Sequence, residues 1–126
     1  MGKTANAISI DVDSQFIPAQ SSPSQQRYAF AYTITITNHS HEAVRLLSRY
    51  WLITDGNEQL QEVKGEGVVG EQPQILPGKS FRYTSGALLE TAVNTMQGSF
   101  QMISESGRTF DAAIAPFALI QPEALH

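Results

Sequence analysis

Tyr28-Ala29-Phe30-Ala31-Tyr32-Thr33-Ile34-Thr35-Ile36-Thr37 places a large apolar residue at every second position, with alanine and threonine between them. A period of two marks a strand with one face in a core. β-Branched and aromatic side chains suit a pleated surface, and the small opposite face can meet water. Upstream, Ile8, Ile10 and Val12 alternate with Ser9, Asp11 and Asp13 in another strand, and the polar stretch from Pro18 to Gln26 is a loop. Downstream, Asn38-His39-Ser40-His41 is a turn, and Val44 to Thr54 is a strand apolar on both faces. Strict alternation there puts Val44, Leu46, Tyr50 and Leu52 on one face and Leu47, Trp51 and Ile53 on the other, which predicts a central strand or an interface.

The rest of the chain continues the pattern. Asp55-Gly56-Asn57 is a hairpin signal. Leu60 to Val63 is a short strand, and Gly65 to Pro77 is a long loop rich in Gly and Pro. Pro77-Gly78 suits a type II turn, because Pro sets φ at the first central position and Gly supplies φ > 0 at the second. Phe81, Tyr83 and Ser85 alternate in a further strand, whereas Ala87 to Gln97 reads as loop in preference to one helical turn. Ser99 to Ser104 and Thr109 to Ala115 flank a Glu105-Ser106-Gly107 turn, and Pro116 and Pro122 bracket a short tail. About seven short strands without strand–helix alternation predict an all-β, immunoglobulin- or fibronectin type III-like β-sandwich, one domain over residues 1–126.

Composition narrows the function. A chain of 126 residues can bury a core without staples. The absence of cysteine excludes disulfides, thiolate metal sites and Cys nucleophiles. A formal net charge of −4 gives no basic footprint for nucleic acid. No apolar run is long enough to span a membrane, and the N-terminus lacks both a leader pattern and a myristoylation signal, since Asn6 stands where Ser or Thr is needed after Gly2. A cytoplasmic protein is the expectation.

Gly65-Glu66-Gly67-Val68-Val69-Gly70 spells G-x-G-x-x-G, the string that brings a helix N-terminus up to a pyrophosphate. Pro73 and Pro77 follow too soon for that helix. What survives is an anion nest at Gly65, Gly67 and Gly70, and the structural alternative is a tight turn with close backbone approach. Asp55, Glu58, Glu62, Glu66 and Glu71 against Lys64 oppose an anion, so Arg45, Arg49, Lys79 or Arg82 would have to compensate. His39 and His41 could chelate, but two ligands do not make a site, and His126 is terminal; no metal and no cofactor are expected. Thr84 and Ser85 precede Gly86 without a nucleophile elbow, so no catalytic residue is assigned. On strict alternation, Arg45, Leu47, Arg49 and Trp51 share one strand face, and Arg with Trp is the composition of an interface hot spot.

Several segments resemble the bacterial ApaG family: Phe30 to Ile36, Leu46-Leu47-Ser48-Arg49-Tyr50-Trp51, Ile53-Thr54-Asp55, Glu62-Val63 with Gly65 through Pro73, Pro77-Gly78, Phe81-x-Tyr83-Thr84-Ser85-Gly86, Met96-x-Gly98 and Pro116-Phe117. Ala92 and Asn94 depart from it, standing where Pro and Gly are commoner. The resemblance implies a fibronectin III-like sandwich, an association with cobalt resistance and magnesium efflux, and a gene near one for diadenosine tetraphosphate hydrolysis. Related domains in eukaryotic F-box and polymerase-delta-interacting proteins imply protein recognition. The first expectation is therefore a non-enzymatic binding module for a protein partner, with homodimerisation through an open sheet edge as one outcome. The alternative is a small anionic ligand, a pyrophosphate or polyphosphate nucleotide, at the Gly65 to Gly70 loop.

Overall fold

A computed structural model describes residues 7–125; residues 1–6 and His126, which carry the leader, myristoylation and terminal-histidine expectations, lie outside them. The strands are β1 (Ile8–Phe16), β2 (Tyr28–Asn38), β3 (Val44–Thr54), β4 (Leu60–Glu66), β5 (Gln74–Ile75), β6 (Ser80–Leu89), β7 (Val93–Ser104) and β8 (Thr109–Ile120). One sheet is ordered β1-β2-β6; the other is β4-β3-β7-β8, with the two-residue β5 also pairing β3. All pairings are antiparallel, and the chain crosses between sheets after β2, after β5 and again after β6, which gives the sandwich predicted from the alternation.

β2 behaves as its pattern dictates. Phe30, Tyr32, Ile34 and Ile36 are buried, while Thr33 and Thr37 lie on the outer face, hydrogen-bonded to Thr84 (2.8 Å) and Ser80 (2.7 Å) of β6. Across the interface stand Leu46, Trp51, Met96, Phe100, Met102, Ile114 and Leu119. Trp51 is 2% exposed and sits 5.6 Å from Tyr32, 5.9 Å from Phe117 and 6.3 Å from Phe100 by ring centroid, all edge-on.

β3 departs from strict alternation. Its pairing with β7 shifts between Leu46 and Ser48, so Leu47 is an extra residue and the strand changes face there. Val44 and Leu46 point into the core before the bulge; Trp51 and Ile53 do so after it. Arg45, Leu47, Arg49 and Trp51 therefore do not share a face: Arg45 is exposed on the outer side, Trp51 is core, and Arg49 faces between the sheets. The two-sided apolar pattern of this segment is the mark of a face switch.

Two further expectations are corrected. Residues 87–97 are not loop but the end of β6, a turn and the start of β7. Buried Asn94 fixes that turn, accepting from the Thr91 hydroxyl at 2.6 Å and donating to the Thr91 and Leu119 carbonyls at 2.9 and 3.2 Å. β8 runs on through Pro116, because the β7–β8 register shifts between Met96 and Gly98, and β8 is an edge strand where a missing N–H leaves no ladder gap. The hairpin signalled by Asp55-Gly56-Asn57 joins β3 to β4, with Glu58 in left-handed backbone (φ 63) and its N–H on the Asp55 carbonyl at 3.0 Å.

The Pro77-Gly78 turn forms as predicted, with Gly78 at φ 77 and the Lys79 N–H on the Leu76 carbonyl at 3.0 Å. Gly78→Val should destabilise by about 1–2 kcal/mol from the left-handed backbone alone, and Ile34→Ala by about 2–5 kcal/mol from its fully buried site. Urea denaturation of both variants checks this; two unchanged midpoints would refute the assignment.

Candidate functional site

The two sides of the sandwich differ. On one, β1 packs against β8, and the Ser14 hydroxyl donates to the Ala118 carbonyl at 2.9 Å. On the other, β4 and β6 each end their sheet unpaired. Between them runs a groove of three overlapping cavities. At one end lies a cavity of about 280 Å³ walled by Arg49, Trp51, Tyr83, Ser85 and the Val68-Val69-Gly70 turn. A middle cavity of about 230 Å³ shares Tyr32, Arg49, Trp51 and Ser85 with it and adds Gly86 and Gln61. The far cavity, about 380 Å³, shares Gln61 and Leu88 with the middle one and adds Leu60. Three exposed apolar residues stand among the polar ones that line it, Leu60 at 68%, Leu88 at 62% and Val69 at 54% exposure.

Arg49 reaches this groove because of the bulge. Its guanidinium lies over Gly65, its register partner on β4; a Cβ there would meet the guanidinium carbon and both terminal nitrogens at 2.7 Å. Nη1 donates to the Glu66 and Gly67 carbonyls at 3.1 and 2.9 Å. Among the described residues Nε and Nη2 make no hydrogen bond that would occupy the groove side of the fork. Tyr83, from the β6 register opposite Ile34, is 7% exposed, and its hydroxyl has no hydrogen-bond partner among the described residues. Burial pushes its pKa well above the phenol range and nearby Tyr32 adds to that, while the Arg49 guanidinium draws it back; the hydroxyl is a donor at neutral pH.

The glycine string is built into the chain's own hydrogen bonding. Gly65 belongs to β4, longer than the sequence suggested. Val69-Gly70 forms the two-residue turn of a small hairpin in which Val68 and Glu71 exchange N–H···O bonds of 2.8 and 2.9 Å. Val69 (φ 44) and Gly70 (φ 81) both lie in left-handed space, as a type I′ turn requires. Gly67 (φ 64) gives its N–H to the Leu47 carbonyl at 2.8 Å, and a Cβ there would collide with the Glu71 carbonyl. Two of the string's amides are thus committed to the chain itself.

The remaining sequence candidates are not brought together. Arg45 binds the Gln72 carbonyl at 2.7 Å on the outer side. Lys79 is exposed in the type II turn, and Arg82 is exposed on the outer face of the three-stranded sheet, in register with Thr35. His39 contacts the Ser9 hydroxyl at 3.0 Å, and among the described residues no three His, Asp or Glu side chains are grouped to hold a metal. The outer face of the five-stranded sheet carries a wide polar depression with Ser48, Tyr50, Glu62, Lys64 and Asp111, in which Tyr50 donates to Glu62 at 2.6 Å; that bond is the main cause holding the Tyr50 pKa above its usual value. The sequence marked Tyr83 as an inward residue of its strand and no more; an unpartnered hydroxyl leaves no trace in periodicity. Leu60, Leu88 and Val69 were equally unsignalled, since exposed apolar residues acquire meaning only when the fold aligns them.

Two groups here oppose stability. Tyr83→Phe removes a buried hydroxyl without a partner and should leave the free protein as stable as before or about 1 kcal/mol more so. Val69→Asn relieves a β-branched residue in left-handed space and should gain about 1 kcal/mol. Thermal and urea unfolding measure both; a clear loss in Tyr83→Phe would mean the hydroxyl is satisfied.

Known proteins can now be set beside this geometry. The ApaG domain family profile matches residues 18–104. Protein ApaG of Pseudomonas paraeruginosa is 52% identical over 126 residues, covering 100% of both chains, and that of Dechloromonas aromatica is 56% identical over 112 residues, 89% of this chain and 88% of its own. A crystal structure from Bordetella pertussis superposes with a TM-score of 0.89 at 47% identity, over 91% of this chain and 94% of that one. The C-terminal domain of wzt, at 8% identity and a TM-score of 0.56 over 90% of this chain and 72% of its own, shares the fold alone. By its profile, its relatives and its sandwich, the chain belongs to the ApaG family.

Proposed function

We propose that this chain is a binding module, without chemistry of its own, that takes an extended segment of a partner protein into the groove between β4 and β6. The observation that carries the reading is the groove's construction: two unpaired edge strands face each other across a continuous depression. An edge strand presents backbone N–H and C=O groups that lack ladder partners, and an extended peptide supplies them. Leu60 and Leu88 border the far cavity and Val69 the Arg49 end, and the exposed part of each would bury apolar area against the guest. Catalysis has no comparable support. Ser85 is in the groove, but none of the cavity walls includes a His to activate it. Nor does this reading need a metal or a nucleotide.

The site is testable without knowing the partner. Random peptides displayed on phage would be selected on the immobilised protein, and survivors mapped by backbone NMR. The expected result is micromolar binders whose shifts fall on Leu60 to Glu66 and on Ser85 to Leu89, and which lose affinity when Leu88→Asp is introduced on the exposed rim. Shifts confined to the outer face of either sheet would reject the groove. Concentration-dependent dimerisation with the same shift pattern would instead make a second copy of the chain the occupant.

A further inference from the structure

Resting on the groove reading, we propose that its Arg49–Tyr83 end is a carboxylate subsite, which takes an acidic side chain or the C-terminal carboxylate of the bound segment. The donors are already in place. Nη1 of Arg49 is held by the Glu66 and Gly67 carbonyls at 3.1 and 2.9 Å, which fixes the plane of the guanidinium and leaves Nε and Nη2 directed away from those bonds. Such a fork matches a carboxylate's two oxygens. Tyr83 brings a hydroxyl to the same cavity with no partner among the described residues, although its residue is only 7% exposed. A buried unpartnered donor beside a fixed guanidinium is a pair that an anionic acceptor completes.

Size and charge narrow the ligand. The end cavity, about 280 Å³, is ample for a carboxylate on a short stem. Among the described residues one acid, Glu66, contributes to the cavity wall; its side chain alternates with Gly65 and stands opposite Ser48, on the outer face, away from the guanidinium fork. Trp51, Tyr32 and Val68, at 2%, 6% and 1% exposure, form a buried wall beside which a charge-assisted hydrogen bond is stronger than in water. Gly65 is what lets Arg49 lie flat in this position: its backbone is ordinary strand, so Gly65→Ala would displace the guanidinium rather than strain the chain.

The test uses the full chain and reads the Arg49 Nε–H signal by NMR. One arm titrates acetate, inorganic phosphate and pyrophosphate. A second uses a groove-binding peptide with its acid changed from Glu to Gln, or its C-terminus amidated, against the wild-type protein, Tyr83→Phe, Gly65→Ala and Arg49→Lys. The expected result is saturable acetate shifts at Arg49, and a peptide affinity that falls about tenfold on removing either the acid or the Tyr83 hydroxyl. Removing both should cost no more than removing one, because the two changes break the same contact. Whichever peptide change is felt, the internal Gln or the terminal amide, identifies the source of the carboxylate. If the peptide binds but these changes alter affinity less than twofold, the subsite is overturned and the groove stands. If acetate saturates at Arg49 but no peptide binds, the groove fails and the subsite stands. Saturation by phosphate or pyrophosphate without acetate overturns the carboxylate assignment, and silence from every probe overturns the subsite and leaves the Tyr83 hydroxyl to solvent.

Discussion

The extra residue at Leu47 governs how this domain is put together. A strand with an uninterrupted period of two would send Leu46 and Trp51 to opposite faces, and one of them would be stranded outside the core. The bulge removes that conflict. It also frees the Leu47 carbonyl from the β3–β7 ladder, and a freed carbonyl needs a donor. Gly67 N–H at 2.8 Å and the Gln72 side-chain amide at 2.9 Å supply two. The glycine-rich turn is thus the partner of the bulge: β5 pairs β3 at Val44 and Arg45, the Leu46 N–H takes the Pro73 carbonyl at 3.0 Å, Gly67 and Gln72 cover Leu47, and β4 pairs from Ser48 onward. One edge of β3 is covered along its length by pieces of three different conformations.

The same constraint opens the groove. β4 starts its pairing only after the bulge, and it is the outermost strand on that side, as β6 is in the facing sheet. On the opposite side β1 and β8 close the sandwich. The buried rings of Tyr32, Trp51 and Phe100 and the half-buried ring of Phe117 pack edge-on or tilted across the centre, so the sheets are held apart at a fixed spacing without a second closing contact at β4 and β6. A rigid core beneath an unpaired rim positions side chains more accurately than a loop could.

Periodicity carried most of the fold because burial on one face of a sheet leaves a period of two that survives without any knowledge of partners. It was legible in β1, β2 and β6, and the turn chemistry of Pro77-Gly78 was legible for the same local reason. It failed where one residue shifts phase. Nothing in Leu46-Leu47-Ser48-Arg49 says which leucine is the extra one, so strict alternation puts Arg49 on the same face as Arg45 and Trp51 with them on a candidate contact surface. The 87–97 segment failed because what turns it is the side chain of Asn94 reaching Leu119, a contact across 25 positions. The glycine string was seen, but its cause, an unpaired carbonyl on a different strand, is a tertiary fact. The groove was beyond reach for the same reason, since Leu60 and Leu88 are 28 positions apart in sequence and meet only through sheet order.

Two local departures from the best-satisfied structure occur within one small cavity. A β-branched residue in left-handed backbone costs of order 1–2 kcal/mol, and a buried hydroxyl without a partner about 1–3 kcal/mol. Domains of this size are stable by only about 5–15 kcal/mol, so such costs are not negligible. Elsewhere the buried polar groups are well served: Asn38 makes hydrogen bonds through both ends of its amide, to Ser40, Glu42 and Ile75, and Asn94 does the same with Thr91 and Leu119. Tyr83 is the exception among the described residues, and it faces the same cavity as Val69. Replacing Tyr83 by Phe would fill the same volume without the unpaired oxygen, and Asn or Gly at 69 would relax the turn. Neither change asks anything of the rest of the fold, so both costs belong to the one cavity that the two residues share.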